Sequence, residues 1–194
     1  MKRPYLLIMA KAPRVGAVKT RLARDIGTIA AWRFYVGTLN AAAHNLPSPF
    51  WKTVLHATPD RAWVPRPGGV ARLDQGPGDL GRRMLRGLTA APRGTPVILI
   101  GSDIPGVTVP ILRRAVHALG SADAVFGPAA DGGFWLVGFS GRRTFWRPFA
   151  GVPWSTVRTL AATLANFRGR AVVLATTLSD VDDVRSWLSA KDAL

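Results

Sequence analysis

The sequence predicts an α/β fold with a mostly parallel sheet covered by helices on both faces. Short, continuously apolar runs bounded by Gly and Pro, chiefly residues 5–10 and 96–100, are the pattern of strands buried on two sides. Between them lie stretches whose apolar residues recur at helical spacing, and strands alternating with helices imply βαβ units. The 194 residues suit a single domain over 1–194 and are enough to bury a sizeable core. No fixed-period repeat, low-complexity tract or second-domain linker stands out in the sequence.

Residues 5–10 form the first expected strand, followed by a Gly/Pro-punctuated loop over 11–19 and a helix opening at Thr20. Over 28–46, Ile29, Trp32, Val36, Leu39 and Ala43 share one helical face, and Pro47 and Pro49 separate that helix from a strand over 51–57. Residues 58–78, rich in Pro, Gly and Arg, read as a loop excursion around a short strand at 70–74. Leu80, Met84 and Leu88 then give an amphipathic helix with Asp79 as its N-cap. A buried strand over 96–100 runs into Gly101-Ser102-Asp103-Ile104-Pro105. Further elements are expected at 108–119 (helix), 123–127 and 134–139 (strands), 155–167 (helix), 171–175 (strand) and 182–188 (helix).

Composition narrows the chemistry. There is no Cys, which removes disulfides, thiol nucleophiles and thiolate metal sites and fits a reducing cytoplasm. The apolar stretch near the amino terminus stops at Lys11 with no A-x-A cleavage site after it, and no stretch reaches the roughly 18–20 apolar residues of a membrane span. A soluble, unexported, cytoplasmic protein is expected. Lys and Arg total 26 against 11 acids, a formal charge of +15, and every acid is Asp. Such a surplus invites an anionic partner: nucleic acid, an anionic membrane surface or a phosphorylated small molecule. In residues 101–140, however, Arg113 and Arg114 are the only cations, against Asp103, Asp123 and Asp131.

In open α/β sheets, ligands sit outside the carboxyl ends of the strands, so the loops after Ala10, Ile100 and Gly127 are the places for chemistry. The first carries Lys11, Arg14, Lys19 and Arg21, with Gly16 allowing close backbone approach and a helix start supplying free N–H groups. That set suits phosphates. A basic surface turn is the alternative, and neither a P-loop nor a dinucleotide Gly-x-Gly-x-x-Gly is present. Asp103, at the end of the central strand, is either a cap or a hard oxygen ligand for Mg²⁺ or Mn²⁺, which take one or two carboxylates plus substrate phosphates. Asp131, before Gly132 and Gly133, is either part of a hairpin turn or a second functional acid. For Asp180, Asp182 and Asp183, capping of the last helix is a sufficient explanation. His44, His56 and His117 show no ligand spacing, while Trp135 and Trp154 lie near the expected site and can stack on a base or sugar.

Five ordered segments together carry a resemblance: Ala10-Lys11-Ala12-Pro13-x-x-Gly16-x-x-Lys19-Thr20-Arg21-Leu22; Gly78-Asp79-Leu80-Gly81-x-Arg83-Met84; Gly101-Ser102-Asp103-x-Pro105; Gly127-Pro128-Ala129-x-Asp131-Gly132-Gly133-Phe134; and Trp154-Ser155-Thr156. Spanning nearly the whole chain, they resemble the family of small bacterial GT-A-type nucleotide-diphospho-sugar transferases, including the arsenosugar-biosynthesis glycosyltransferase group. The chain is more distantly similar to the guanylyltransferases of molybdenum-cofactor and phospholactate chemistry. The resemblance implies a three-layer α/β/α fold and a nucleotide or phosphate site at Ala10, Lys11, Pro13, Arg14, Gly16, Lys19, Arg21, Gly78 and Asp79. It also implies a divalent ion, Mg²⁺ or Mn²⁺, near Asp103, with Asp131 the second catalytic or metal-facing acid. The chain departs from its relatives at the terminal Asp-x-Asp-Thr-Pro-x-Asp pattern, which here reads Asp180-Val181-Asp182-Asp183-Val184-Arg185.

The leading expectation is therefore a metal-dependent transferase using a nucleotide-sugar or a nucleoside triphosphate, with a small-molecule acceptor the sequence does not identify. Nucleotidyl transfer is the alternative to glycosyl transfer. A nucleic-acid-binding module or a non-catalytic nucleotide sensor is the alternative outside enzymes, although the cations are spread along the chain without a nucleic-acid motif.

Overall fold

The computed structural model describes residues 2–142 and 147–191. Seven strands form one sheet: β1 (Tyr5–Lys11), β2 (Lys52–Thr58), β3 (Ala71–Asp74), β4 (Val97–Gly101), β5 (Ala124–Pro128), β6 (Phe134–Phe139) and β7 (Val172–Leu174). The helices are α1 (Thr20–Ile26), α2 (Thr28–Asn45), α3 (Leu80–Ala90), α4 (Val109–Ala118), α5 (Thr159–Ala165) and α6 (Val184–Lys191). Each element expected from the sequence is present, most with ends moved by a few residues. The largest shift is in α5, which starts at Thr159 rather than 155 because Ser155, at φ 59°, lies in the left-handed region and holds the chain out of the helix.

The sheet order is β3-β2-β1-β4-β6-β5-β7. β1 pairs in parallel with β2 and β4, β2 with β3, and β5 with β7, while β6 runs antiparallel between β4 and β5. The mostly parallel sheet thus contains one reversed strand, entered through the β5–β6 hairpin.

Alternation along the strands separates two apolar layers. Leu6 and Ile8 of β1 and Ile98 and Ile100 of β4 pack with Tyr35 and Leu39 of α2 and Leu112 and Ala115 of α4. Leu7, Val97 and Leu99 point the other way, toward Met84 and Leu88 of α3 and the aromatic group of Phe126, Phe139 and Phe167. This is the three-layer α/β/α arrangement. Phe126 meets Phe167 edge-on at 5.3 Å between ring centroids, a favoured aromatic geometry. A smaller cluster of Leu22, Ala31 and Val181, with Trp187 packed against it, ties α1 and α2 to the C-terminal segment.

From β1 the chain proceeds outward through β2 and β3, then returns through α3 to place β4 on the other side of β1. The β1/β4 boundary is the point where strand order reverses, and a crevice opens outside the carboxyl ends there. Because β6 runs backwards, its first residues, Phe134 and Trp135, lie at that same edge.

Candidate active site

The loop after β1 is shaped by local bonds. Ala12 N–H donates to Thr58 O at 2.7 Å and Ala17 N–H to Arg14 O at 3.0 Å, with Gly16 at φ 75° making the turn. The Tyr35 hydroxyl, on α2, accepts from Lys11 N–H and donates to Lys11 O, both at 2.8 Å, and is 3.4 Å from Ser102 Oγ. One phenol therefore joins the ends of β1 and β4. Burial raises its pKa above the ordinary phenol value, so it stays protonated and keeps both bonds.

Across the crevice, buried Gln75 follows β3. Its Nε2 donates to Ala10 O (3.1 Å) and His56 O (2.8 Å), and its Oε1 accepts from Arg83 Nη1 (3.3 Å). Gln75 O also accepts from Arg86. The side-chain amide is thus committed to holding the far wall, and Arg83 is the group it presents. His56, fully buried, uses Nε2 on Arg83 O at 2.9 Å, and burial lowers its pKa, which fits a structural neutral imidazole.

Two cavities open at this edge. The larger, about 480 Å³, is lined by Ala10, Lys11, Lys19, Arg21, Tyr35, Gln75, Arg83, Ser102, Asp103, Trp135 and Asp182 among others. The smaller, about 240 Å³, is lined by Asp131, Gly133, Trp154, Ser155, Asp180 and their neighbours. Arg21, Leu80, Met84, Phe134, Trp135 and Asp182 line both, so the cavities share a wall.

At that boundary Lys19 Nζ lies 2.5 Å from Asp103 Oδ2 and 2.7 Å from Asp182 Oδ1, with only 4% of its side chain exposed. Burial opposes the charge on Lys19, but the two carboxylates outweigh it and hold the ammonium pKa above its ordinary value. Arg21, largely exposed, is 4.0 Å from the other oxygen of Asp182. Asp180 stands close enough to feel the cluster: burial, then the charges of Asp182 and Asp131, raise its pKa to about 6.

The structure brings Ala10, Lys11, Lys19, Arg21 and Asp103 together in the larger cavity and places Asp131 in the smaller one. Lys11 Nζ donates to Ala17 O at 2.7 Å and so also braces the loop. Pro13, Arg14, Gly16, Gly78 and Asp79 line neither cavity. Pro13 O accepts from Trp32 Nε1, and Asp79 caps α3 by accepting from Arg82 N–H at 2.8 Å. Asp131 accepts from Gly133 N–H at 2.8 Å, so it serves the hairpin turn while facing the smaller cavity.

Helix capping accounts for Asp183, whose Oδ1 accepts from Ser186 N–H at 2.8 Å, but not for Asp180 or Asp182. The segment after β7 follows β5 outward, with Ala175 N–H donating to Phe126 O and Leu178 N–H to Pro128 O, and this delivers both acids to the cavities. Their alternating spacing was the available signal. Gln75 and Tyr35 also lay outside the sequence-based site, since nothing local marks a buried polar clamp, while Arg83 stood in the second motif segment without an assigned role.

Whether these residues suit a divalent ion depends on their donors. Asp103 and Asp182 supply hard carboxylate oxygens, both within ion-pair distance of the same Lys19 ammonium. Among the described residues no three His, Cys, Asp or Glu are grouped to hold a metal by themselves. The set fits the mode in which protein supplies one or two carboxylates and substrate phosphates supply the rest.

Known proteins share this architecture. A protein from Desulfovibrio desulfuricans G20, described as a "putative nucleotide-diphospho-sugar transferase", is 27% identical over 95% of this chain and 84% of its own, with a TM-score of 0.83. A nucleotidyl transferase from Methanothermobacter thermautotroptrophicus superposes over 100% of this chain and 98% of its own at 16% identity and a TM-score of 0.60. Rv0371C from Mycobacterium tuberculosis H37Rv, solved as a complex with manganese, does so over 98% and 100% at 16% identity and a TM-score of 0.54. The last two show the fold alone. No curated protein matches the chain. Residues 40–156 match the bacterial family described as "uncharacterized protein conserved in bacteria" (DUF2064), and the chain belongs to that family.

Proposed function

We propose that this enzyme is a divalent-metal-dependent transferase that binds a nucleotide-sugar or nucleoside triphosphate in the larger cavity and a small acceptor in the smaller one. The observation that carries this is the shared wall: a cationic cavity with Lys11, Lys19, Arg21 and Arg83 meets an acidic one with Asp131 and Asp180, and Asp182 lines both, joined through Lys19 to Asp103 of the larger cavity. Phosphates suit the first and an acceptor hydroxyl the second. The 27% identical structure supports a nucleotide-type donor.

Lys11, Lys19 and Arg21 neutralise the phosphate oxygens, and their charge is in place before negative charge develops on the departing phosphate. Asp103 and Asp182 would hold Mg²⁺ or Mn²⁺, which when bound supplies Lewis-acid stabilisation of the same oxygens. Asp131 accepts a hydrogen bond from the acceptor hydroxyl, orients it and takes its proton as the new bond forms, and Trp154 gives that cavity an apolar wall. In glycosyl transfer the acceptor oxygen bonds to the anomeric carbon as the nucleoside diphosphate leaves. In nucleotidyl transfer it bonds to the α-phosphorus as pyrophosphate leaves. The nucleotidyl transferase of the same fold keeps the second reading in play, and the leaving group, diphosphate nucleotide or pyrophosphate, separates the two.

A melting-temperature screen of nucleotides and nucleotide-sugars with and without Mn²⁺ tests the proposal, because a ligand that binds only the folded state raises the midpoint by mass action. A shift that requires both nucleotide and Mn²⁺ is expected. Absence of any shift, with calorimetry also blank, overturns the donor assignment. Asp103→Asn is expected to remove the metal-dependent shift and leave the unliganded protein folded. Undiminished binding in that variant would take Asp103 out of the role.

A further inference from the structure

We propose that Lys19 makes the larger cavity take up a divalent cation and a polyphosphate together, as one complex, and resist either alone. This rests on the donor assignment above and specifies the form in which the donor enters. Asp103 and Asp182, the carboxylate pair a hard cation would use, already hold the Lys19 ammonium at 2.5 and 2.7 Å. A metal ion arriving alone must displace that ammonium, and with 4% of its side chain exposed the lysine is then left buried without an anion. A phosphate arriving alone meets a Lys19 ammonium already committed to Asp103 and Asp182, whose carboxylates repel it.

When both ligands arrive, the charges can be exchanged. The cation takes the carboxylates, Lys19 donates to phosphate oxygens, and no buried charge is stranded. The backbone marks Lys19 as built for this position: it is a non-glycine residue at φ 48°, ψ 44°, a conformation that L residues rarely adopt and that gathers at functional sites. By thermodynamic linkage, each ligand must raise the affinity of the other by the same factor.

Calorimetry with Mn²⁺ alone, and with Mn²⁺ plus inorganic tripolyphosphate corrected for the complex the two form in solution, tests this without assuming a nucleotide. Tripolyphosphate is expected to tighten Mn²⁺ binding to the native protein by about tenfold or more. Lys19→Met is expected to bind Mn²⁺ alone about tenfold more tightly than the native protein and to lose most of the enhancement, because the competing charge is gone. Lys19→Arg, which keeps the charge, is expected to bind Mn²⁺ alone as weakly as the native protein. A purely structural lysine predicts the opposite sign, so unchanged or weaker Mn²⁺ binding in Lys19→Met overturns the proposal, as does enhancement that survives in it. If Lys19→Met does not fold, amine labelling of the native protein decides: Mn²⁺ at saturation should raise the reactivity of Lys19, and unchanged reactivity overturns it. Failure of every nucleotide in the melting screen would sink the donor assignment while leaving the Mn²⁺ and tripolyphosphate comparison to stand or fall by itself.

Discussion

At Asp180, burial and the charges of Asp182 and Asp131 raise the carboxyl pKa to about 6, while the Lys19 ammonium pulls it down. The folded value lies above the 3.8 of the free side chain, so the folded protein holds this proton more tightly than the unfolded chain does. Its contribution to stability is complete below about pH 4 and is lost as the pH rises through 6. Asp180→Asn fixes the neutral state. Without divalent metal, it is expected to raise stability at pH 8 by on the order of 1 kcal/mol, a value reduced for screening at a partly exposed site, and to change little at pH 4. Melting temperatures of the two proteins at both pH values check this, and an equal gain at both would assign the effect to something other than charge. Lys19 follows the same sign in a higher pH range: its raised pKa contributes stability throughout the neutral range, lost only as the pH climbs through that value.

The β5–β6 hairpin shows what one element contributes to the site. Gly132, at φ 85°, has Val157 O only 2.3 Å from where a Cβ would stand, and Leu160 N–H donates to Gly132 O at 2.9 Å. Gly132→Ala therefore combines a left-handed strain with a backbone clash. It is expected to cost about 2–3 kcal/mol and to move Asp131 relative to the smaller cavity. Urea unfolding reads the first effect, and weaker acceptor-dependent turnover reads the second. On the opposite side of the cleft, Asp79→Ala removes the α3 cap and is expected to cost about 1 kcal/mol without abolishing nucleotide binding, because the carboxylate is engaged with Arg82 N–H. Such elements were legible because their signals are local: apolar runs for β1 and β4, helical spacing and a cap for α3, Asp-Gly for the hairpin. The ammonium of Lys19, though also in a local motif, was visible only as a phosphate ligand. Its partner Asp182 is 163 residues away, brought close by the path of the segment after β7 along β5, and no spacing rule encodes that meeting. For the same reason the clamp of Gln75 on Ala10 O and His56 O, which spans three strands, was invisible in sequence.

Across the whole molecule, the formal charge of +15 and the cleft make separate claims on anions. Lys19 and Asp103 pair within the cleft, and Arg72 and Asp74 pair on β3, but with 26 cations and 11 acids most of the positive charge has no acid to meet. Spread cations attract any polyanion, and their attraction depends on counterion release: a protein contacting six to ten phosphates loses roughly 10³–10⁵ in affinity between 50 and 200 mM salt. A partly buried pair such as Lys19 and Asp103 is screened less. Among the described residues no helix is long and apolar enough to cross a membrane, so the surplus does not flank a helical span in them. If the charge is general surface charge, filter binding of a duplex should be detectable near 20 mM salt, indifferent to Mn²⁺, and lost by about 200 mM. Nucleotide binding in the cleft should instead require Mn²⁺ and weaken only modestly over the same interval. Duplex binding that persists at physiological salt and is unaffected by Asp103→Asn would mean that the surface, rather than the cavity at the β1/β4 boundary, is where this protein meets its main ligand.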